Sequence, residues 1–302
     1  MAYMRAGSFE QAWRVSDQVL AERAGQSCQH LPLSEQWLWN GESLGGRSVL
    51  VRCHHGLGDT IQFIRYISLV RRVARRVTLL AQPAVLPLLR TMTDLPHKIR
   101  ALSAGVSDYE VAVEVMELPY ILRTTVTTIP ADVPYFRVEP AQLPKTEGFN
   151  VGLVWAAGDW DDRRSIPFAL IQQLTTHPRV RWHILQRGNA LKQWAGAFGR
   201  NAGDDDVLAT ARLIAGLDLL ISVDTLPAHL GGALAVPTWT LLHAKADWRW
   251  MSGRHDSPWY PTMRLFRQRK MGEWQTVIDE VREKLGHCFR RRRLNTAKLA
   301  FR

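Results

Sequence analysis

Several short stretches of this 302-residue chain combine residue types and spacings that could do chemistry. Gly56-Leu-Gly-Asp-Thr60 follows an apolar run, Val49 to Val51, and leads into Ile61, Ile64, Ile67 and Leu69 on a helical period. A strand, a glycine turn and a helix start belong at the carboxyl edge of an open α/β sheet, where ligands bind. Glycine lets the backbone come close to a ligand, and the new helix leaves N–H groups unpaired at its start. Asp59 at this turn serves either as a helix cap or as a carboxylate facing a cleft. The third glycine of a dinucleotide fingerprint is missing, because position 61 is Ile, and no Gly-Lys-Ser/Thr follows to make a Walker loop.

Ile221-Ser-Val-Asp-Thr-Leu-Pro-Ala-His229 repeats the strand–turn–helix pattern. Asp224 and Thr225 stand just past the strand, Pro227 suits a first helical turn, and an anion fits at such a helix start. Simple capping by Asp224 or Thr225 is the other reading. His229, in an Ala-Leu-Gly helix, is either a packed, hydrogen-bonded side chain or a functional imidazole. Arg163 and Arg164 follow a further strand. Their forks match phosphate geometry, or they pair with Asp161 and Asp162 on a solvated loop. Arg187, in Gln186-Arg-Gly188, sits at another strand end with the same two readings. Asp204-Asp-Asp206 precedes a helix and reads as its charged start. His-Glu-x-x-His, Cys-x-x-Cys and Gly-x-Ser-x-Gly are all absent, so no motif supports a metal site or a serine hydrolase.

The elements that must position these residues form two series. In the first, strands are expected at 49–51, 77–81, 99–102 and 109–115, with helices at about 62–72 and 83–92. Residues 129–144 carry Pro130, Pro134, Pro140 and Pro144 and read as a linker. In the second, strands are expected at 150–155, 180–185, 218–223 and 236–242, with helices from 166, over 207–215 and over 227–233. An amphipathic helix carrying Phe9, Ala12, Trp13, Val15 and Leu20 precedes both series, and it must bury its face on the body or on a neighbour. The expected architecture is two Rossmann-like α/β domains facing across a cleft, itself a favoured ligand site. The divisions fall at 1–36, 37–145, 146–286 and a basic tail at 287–302.

Composition narrows the classes. The apolar fraction of 46% suffices for a core, and no run is long enough to span a membrane. The polar start is no secretory signal. Cys28, Cys53 and Cys288 show neither metal-ligand spacing nor a disulfide framework, which fits a reducing compartment. A net charge of +11 suits anionic partners, and Arg290 to Arg293 concentrates part of it. Twelve tryptophans suggest cleft walls or an interface.

Gly56-Leu-Gly-Asp-Thr-Ile-Gln-Phe-Ile-Arg-Tyr66, Val151-Gly-Leu-Val-Trp155, Arg164-Ser-Ile-Pro167 and Ser222-Val-Asp-Thr-Leu-Pro-Ala-His229 resemble glycosyltransferase family 9, which includes the ADP-heptose:lipopolysaccharide heptosyltransferases. Asp247-Trp-Arg-Trp250, Ser257-Pro-Trp-Tyr-Pro261 and Arg264-Leu-Phe-Arg-Gln268 resemble the subgroup commonly fused behind tetratricopeptide repeats. The likeness covers about residues 38–285, and the first helix resembles the end of a last repeat. It departs at His54-His55, where the subgroup has a glutamate–glutamine pair, and at Leu226-Pro227, where smaller residues are usual. The histidine pair could place a titrating group beside Asp59.

The resemblance implies a GT-B-like fold and an inverting, metal-independent transfer from a nucleotide-diphosphate sugar, with no cofactor. Asp59 is then the general base. Asp224, Thr225 and His229 match the donor motif, with Arg164 and Arg187 as further neutralisers, and Gly56, Gly58, Thr60 and Gln62 lie on the acceptor side. The acceptor is a hydroxyl on a glycan, lipid-linked glycan or protein. The protein is expected in the cytoplasm, with the basic tail open to contact with anionic lipid at the inner face of the membrane, and nucleic acid is not an expected partner. Two alternatives stand beside this reading: a non-catalytic sugar-nucleotide-binding or assembly protein of the same fold, and a basic nucleic-acid binder, for which no recognition motif is present.

Overall fold

A computed structural model describes residues 1–300 apart from 33–34, 145–147, 159–160 and 177–178, with side chains described as far as Cys288. Its centre is two wholly parallel sheets. The first holds β1 (Ser48–Cys53), β2 (Arg76–Ala81), β3 (Lys98–Ala101) and β4 (Val111–Glu114) in the order β3-β2-β1-β4. Val49 of β1 registers with Val77 on one side and Val111 on the other. The second holds β5 (Phe149–Val154), β6 (Val180–Ile184), β7 (Arg200–Asn201), β8 (Leu219–Val223), β9 (Thr238–Leu242) and β10 (Met263–Arg267) in the order β10-β9-β8-β5-β6-β7. Counted from β5, this is the doubly wound order with a second half built out on the other side of its first strand. All residues of β8 and β9 are buried, as strands covered by helices on both faces must be.

In each sheet the winding reverses beside the first strand, between β1 and β4 and between β5 and β8. Loops leaving the carboxyl ends of strands diverge at such points and leave a crevice. The glycine turn leaves β1 there, and Asp224-Thr225 leaves β8 there.

The N-terminal helices Ala2–Arg5 and Phe9–Arg23 bury their apolar face on the body. Phe9, Ala12 and Trp13 are buried, Trp13 Nε1 donates to the Thr124 carbonyl at 2.6 Å, and Phe9 meets Trp248 edge-on. Trp248 stacks on Phe63, and Phe63 and Trp248 both meet Trp259 edge-on. These tryptophans therefore join the first half to the second rather than line an open cleft. Arg65 lies inside this junction. It donates to the carbonyls of Gln62, Pro130 and Trp259 and to the Tyr135 hydroxyl, and sits over the Tyr260 ring.

The proline-rich stretch 129–144 has no helix or strand, yet Tyr135 and Phe136 are buried and Met92 bridges to Phe136. It is packed on both halves, with Tyr135 N–H donating to the Ala233 carbonyl at 3.1 Å. The C-terminal helix runs Trp274–Ala300 and buries Trp274, Val277, Ile278, Val281 and Leu285 along one stripe. The helical backbone thus continues through the segment read as a basic tail, while the side chains of Arg290 to Arg293 lie outside the described residues. The strands β7 and β10 were not expected from the sequence.

Candidate functional site

The helix Leu57–Phe63 starts directly behind Gly56, three residues past β1. Asp59 Oδ2 accepts from Gly56 N–H at 3.1 Å, so the carboxylate closes the first turn as the capping reading requires. Its other oxygen faces the cavity, where Oδ1 accepts from Arg249 Nη1 at 2.7 Å. Both sequence readings of Asp59 hold at once. Gly58 is not at positive φ. It is glycine for space, since a Cβ there would lie 2.8 Å from His229 Cδ2 of the opposite half.

On that opposite side the helix Leu226–Ala233 begins at Thr225 with no side-chain cap. Thr225 Oγ1 donates back to the Val223 carbonyl at 3.3 Å, so the capping reading fails here. Asp224 is buried, and its backbone carbonyl accepts from Arg164 Nη1 at 2.8 Å. Burial raises the Asp224 carboxyl pKa; the neighbouring Arg249, Trp250 and Arg164 pull against this. His229 is buried, with Nδ1 3.0 Å from the Tyr260 hydroxyl and its ring stacked on Trp250. Burial, then Arg249, Arg65 and Arg164, push its pKa well below the ordinary histidine value, so the imidazole is neutral at pH 7. At 3.7 Å its Nε2 is too far from Asp224 Oδ1 for a hydrogen bond. His229 is thus a packed, hydrogen-bonded side chain that also forms part of the wall.

These elements enclose a cavity of about 510 Å³, whose walls include Gly56, Gly58, Asp59, Arg164, Asp224, Thr225 and His229. Two turns about 165 residues apart are thereby brought to one site. The loop after β9 supplies what the sequence reading left without a role: His243, Lys245, Asp247 and Arg249. Arg249 is buried, and its Nε donates to Asp247 Oδ1 at 2.9 Å. Burial works against its charge, but Asp247, Asp59 and Asp224 outweigh burial and hold its pKa above the ordinary arginine value. Arg5 reaches the same cavity from the N-terminal segment. Arg163 also lines it, clamped by Asp161 at 2.7 and 2.9 Å as the solvated-pair reading foresaw.

Three expected site residues lie elsewhere. Thr60 and Gln62 are fully buried and do not line the cavity, because the helix that starts at Leu57 turns them into the body. Thr60 Oγ1 donates to Gln82 Oε1 at 3.2 Å. Arg187 lines an adjoining cavity of about 760 Å³ with Ser165, Gln186 and Thr210; Gly158, Thr225 and Leu226 are common to both. There Arg187 pairs with Asp205. Gln186 Oε1 fixes the loop after β5 by accepting from Trp155 and Ala156 N–H at 3.0 and 2.9 Å. His54 and His55 stay out of the wall, with His54 N–H donating to Glu114 Oε1 at 2.8 Å. Among the described residues no three His, Cys, Asp or Glu side chains are grouped to hold a metal ion, and no helix is long and apolar enough to cross a membrane.

No family model matches the chain. Protein FlbA of Caulobacter vibrioides is 26% identical over 289 residues, covering 80% of this chain and 47% of that protein, so the chain spans about half the length of this curated relative. Among solved structures, the E. coli ADP-heptose LPS heptosyltransferase II matches with a TM-score of 0.57 at 13% identity, covering 80% of this chain and 98% of that one. The glycosyl transferase family 9 structure from Veillonella parvula matches with a TM-score of 0.53 at 11% identity, covering 75% and 87%. Identities this low speak for the fold alone. The chain therefore has a GT-B-like α/β fold with parallel sheets, the architecture it has in common with these glycosyltransferases.

Proposed function

We propose that this protein is a glycosyltransferase that moves a sugar, with a heptose as the first to try, from a nucleotide-diphosphate donor to a hydroxyl acceptor. One observation carries the reading. A single cavity has the Asp59 carboxylate on one wall and the uncapped helix start at Thr225, with Arg164 beside it, on the other.

In this reading the acceptor hydroxyl gives its proton to Asp59, and its oxygen attacks the anomeric carbon from the glycine-loop side. The bond from that carbon to the diphosphate oxygen breaks, which inverts the centre. The electron pair leaves with the nucleoside diphosphate, whose negative charge meets the helix N-terminus and Arg164. This arrangement handles the leaving group without a metal. Arg249 occupies one acceptor site on Asp59 Oδ1, and a carboxylate has further lone pairs for a hydroxyl. The adjoining cavity, with Arg187 at its edge, is the place for the nucleoside.

A second reading, binding of a nucleotide sugar without turnover, draws on the same Arg249–Asp59 contact, because it engages the carboxylate that must act as base. Release of nucleoside diphosphate from a panel of nucleotide sugars, with glycan, lipid-linked and protein acceptors, separates the two. Turnover in the wild type, reduced about a hundredfold or more in Asp59→Asn, is expected. Tight nucleotide binding with no release from any pair would leave only the second reading.

A further inference from the structure

Two cations of the cavity wall are left over once the ion pairs are assigned. Arg163 is held by Asp161, Arg249 by Asp59 and Asp247, and Arg164 by the Asp224 carbonyl. Arg5 and Lys245 line the same cavity, are exposed, and have no ion-pair partner among the described residues. They lie about 240 positions apart in the chain, one in the first helix and one in the loop after β9.

Arg5 is not on a loose end. Its backbone carbonyl accepts from Ser252 N–H at 2.8 Å, and Met4 beside it is buried. The helix Ala2–Arg5 packs against Trp248–Trp250, the turn that holds Arg249. Gly7, at φ +75°, lets the chain fold back into the next helix, and a Cβ there would already touch Val126 and Met251. Burial first, and then the charge of nearby Arg5, lower the pKa of Arg267. Two residues before Lys245, His243 lines the same cavity and is buried, with its Nδ1 shielded from solvent. Two cations without a carboxylate partner among the described residues, at a cavity that Arg164 and Arg249 also line, are an arrangement that an anion completes.

We propose that Arg5 and Lys245 form an anion-binding subsite that the N-terminal helical segment completes, and that its ligand is a phosphoryl or carboxylate group. The segment is then part of the site and not a detachable relic of a repeat. The proposal rests on the cavity assigned above to sugar transfer. Its group can belong to the donor diphosphate or to an acidic second substrate.

The test is calorimetric titration of inorganic pyrophosphate into the full chain, the Arg5→Gln variant and the Lys245→Gln variant. Both side chains are exposed, so the variants are expected to melt with the wild type. Each is expected to raise the Kd for pyrophosphate about tenfold, the worth of one charge-assisted hydrogen bond. Repeating the titration on protein saturated with a nucleoside diphosphate names the source. Retained, Arg5-dependent binding assigns the subsite to the second substrate; lost binding, with nucleotide affinity also lowered by Arg5→Gln, assigns it to the donor. Absence of pyrophosphate binding in the wild type, or a Kd unchanged within about twofold in both variants, would overturn the proposal. The pyrophosphate result stands whether or not any nucleotide sugar is turned over, so it fails independently of the transferase reading.

Discussion

Arg249 Nη1 and Asp59 Oδ1 lie 2.7 Å apart across the cavity, although the residues are 190 positions apart in the chain. The contact ties the glycine loop of the first sheet to the loop after β9 in the second. It also fixes where the carboxylate points, since the other oxygen is held by Gly56 N–H. Removing Asp59 therefore has two separable consequences. Asp59→Ala leaves a buried guanidinium with Asp247 as its remaining bonded carboxylate and is expected to cost about 1–3 kcal/mol in urea denaturation. Asp59→Asn keeps the shape and is expected to lose transfer by about a hundredfold or more while still binding nucleotide.

Gly58 faces a side chain that cannot give way. The His229 ring is fixed by the Tyr260 hydroxyl at 3.0 Å and by Trp250 stacked at 5.4 Å. A methyl group at Gly58 would press on that ring at 2.8 Å. Gly58→Ala is expected to cost about 1–3 kcal/mol. Paired with His229→Ala, which opens the space, the same substitution is expected to cost less, and a double-mutant cycle reads the coupling.

Arg65 is the bolt of the interdomain junction. Its planar fork reaches three backbone carbonyls and the Tyr135 hydroxyl at once, which an ammonium group cannot do. Arg65→Lys is expected to destabilise the protein by about 2–4 kcal/mol. Lowered urea midpoints that coincide for both halves, by tryptophan fluorescence and circular dichroism, would show that the junction couples them.

The buried His183 and the half-buried Glu117 give opposite pH dependences. Burial first, then Arg200 and Arg181, lower the His183 pKa from 6.5 to about 4, and Arg200 Nε donates to its Nδ1 at 3.0 Å. The folded protein then binds fewer protons than the unfolded chain between these values, so His183 removes stability as pH falls from 6.5 towards 4. Burial raises the Glu117 pKa from 4.5 to about 7. Here the folded protein binds more protons, and stability is lost as pH rises through that window. Against the wild type, His183→Gln is expected to gain in relative stability as pH falls, and Glu117→Gln as pH rises. Denaturation at pH values spanning both windows checks each sign.

What was legible in the sequence was local. The turn after β1 and the turn after β8 are each written in consecutive residues, so Gly56, Gly58 and Asp59, and Asp224, Thr225 and His229, could be picked out by spacing and by resemblance. Their meeting at one cavity follows from winding reversals in two sheets, which single stretches imply only through the α/β pattern. Arg249 was not legible as a partner of Asp59, because a lone arginine between two tryptophans gives no sign of a carboxylate 190 residues away. Arg5 was hidden for the same reason, on a segment that reads as a remnant. Thr60 and Gln62 were placed on the acceptor side by the resemblance, which does not show which way a side chain turns; the helix from Leu57 buries both completely.

In the proposed function the cavity holds the diphosphate of a nucleotide sugar between the helix start at Thr225 and Arg164. The most direct measurement is thermal stabilisation by ADP, UDP, GDP and CMP, each with and without magnesium, in the wild type and in Arg164→Gln. A ligand that binds only the folded protein adds about 2.7 kcal/mol at a hundredfold excess over Kd. Stabilisation by one nucleoside diphosphate, independent of magnesium and weakened in Arg164→Gln, is the predicted result. No stabilisation by any of them, or equal stabilisation of the variant, would contradict it.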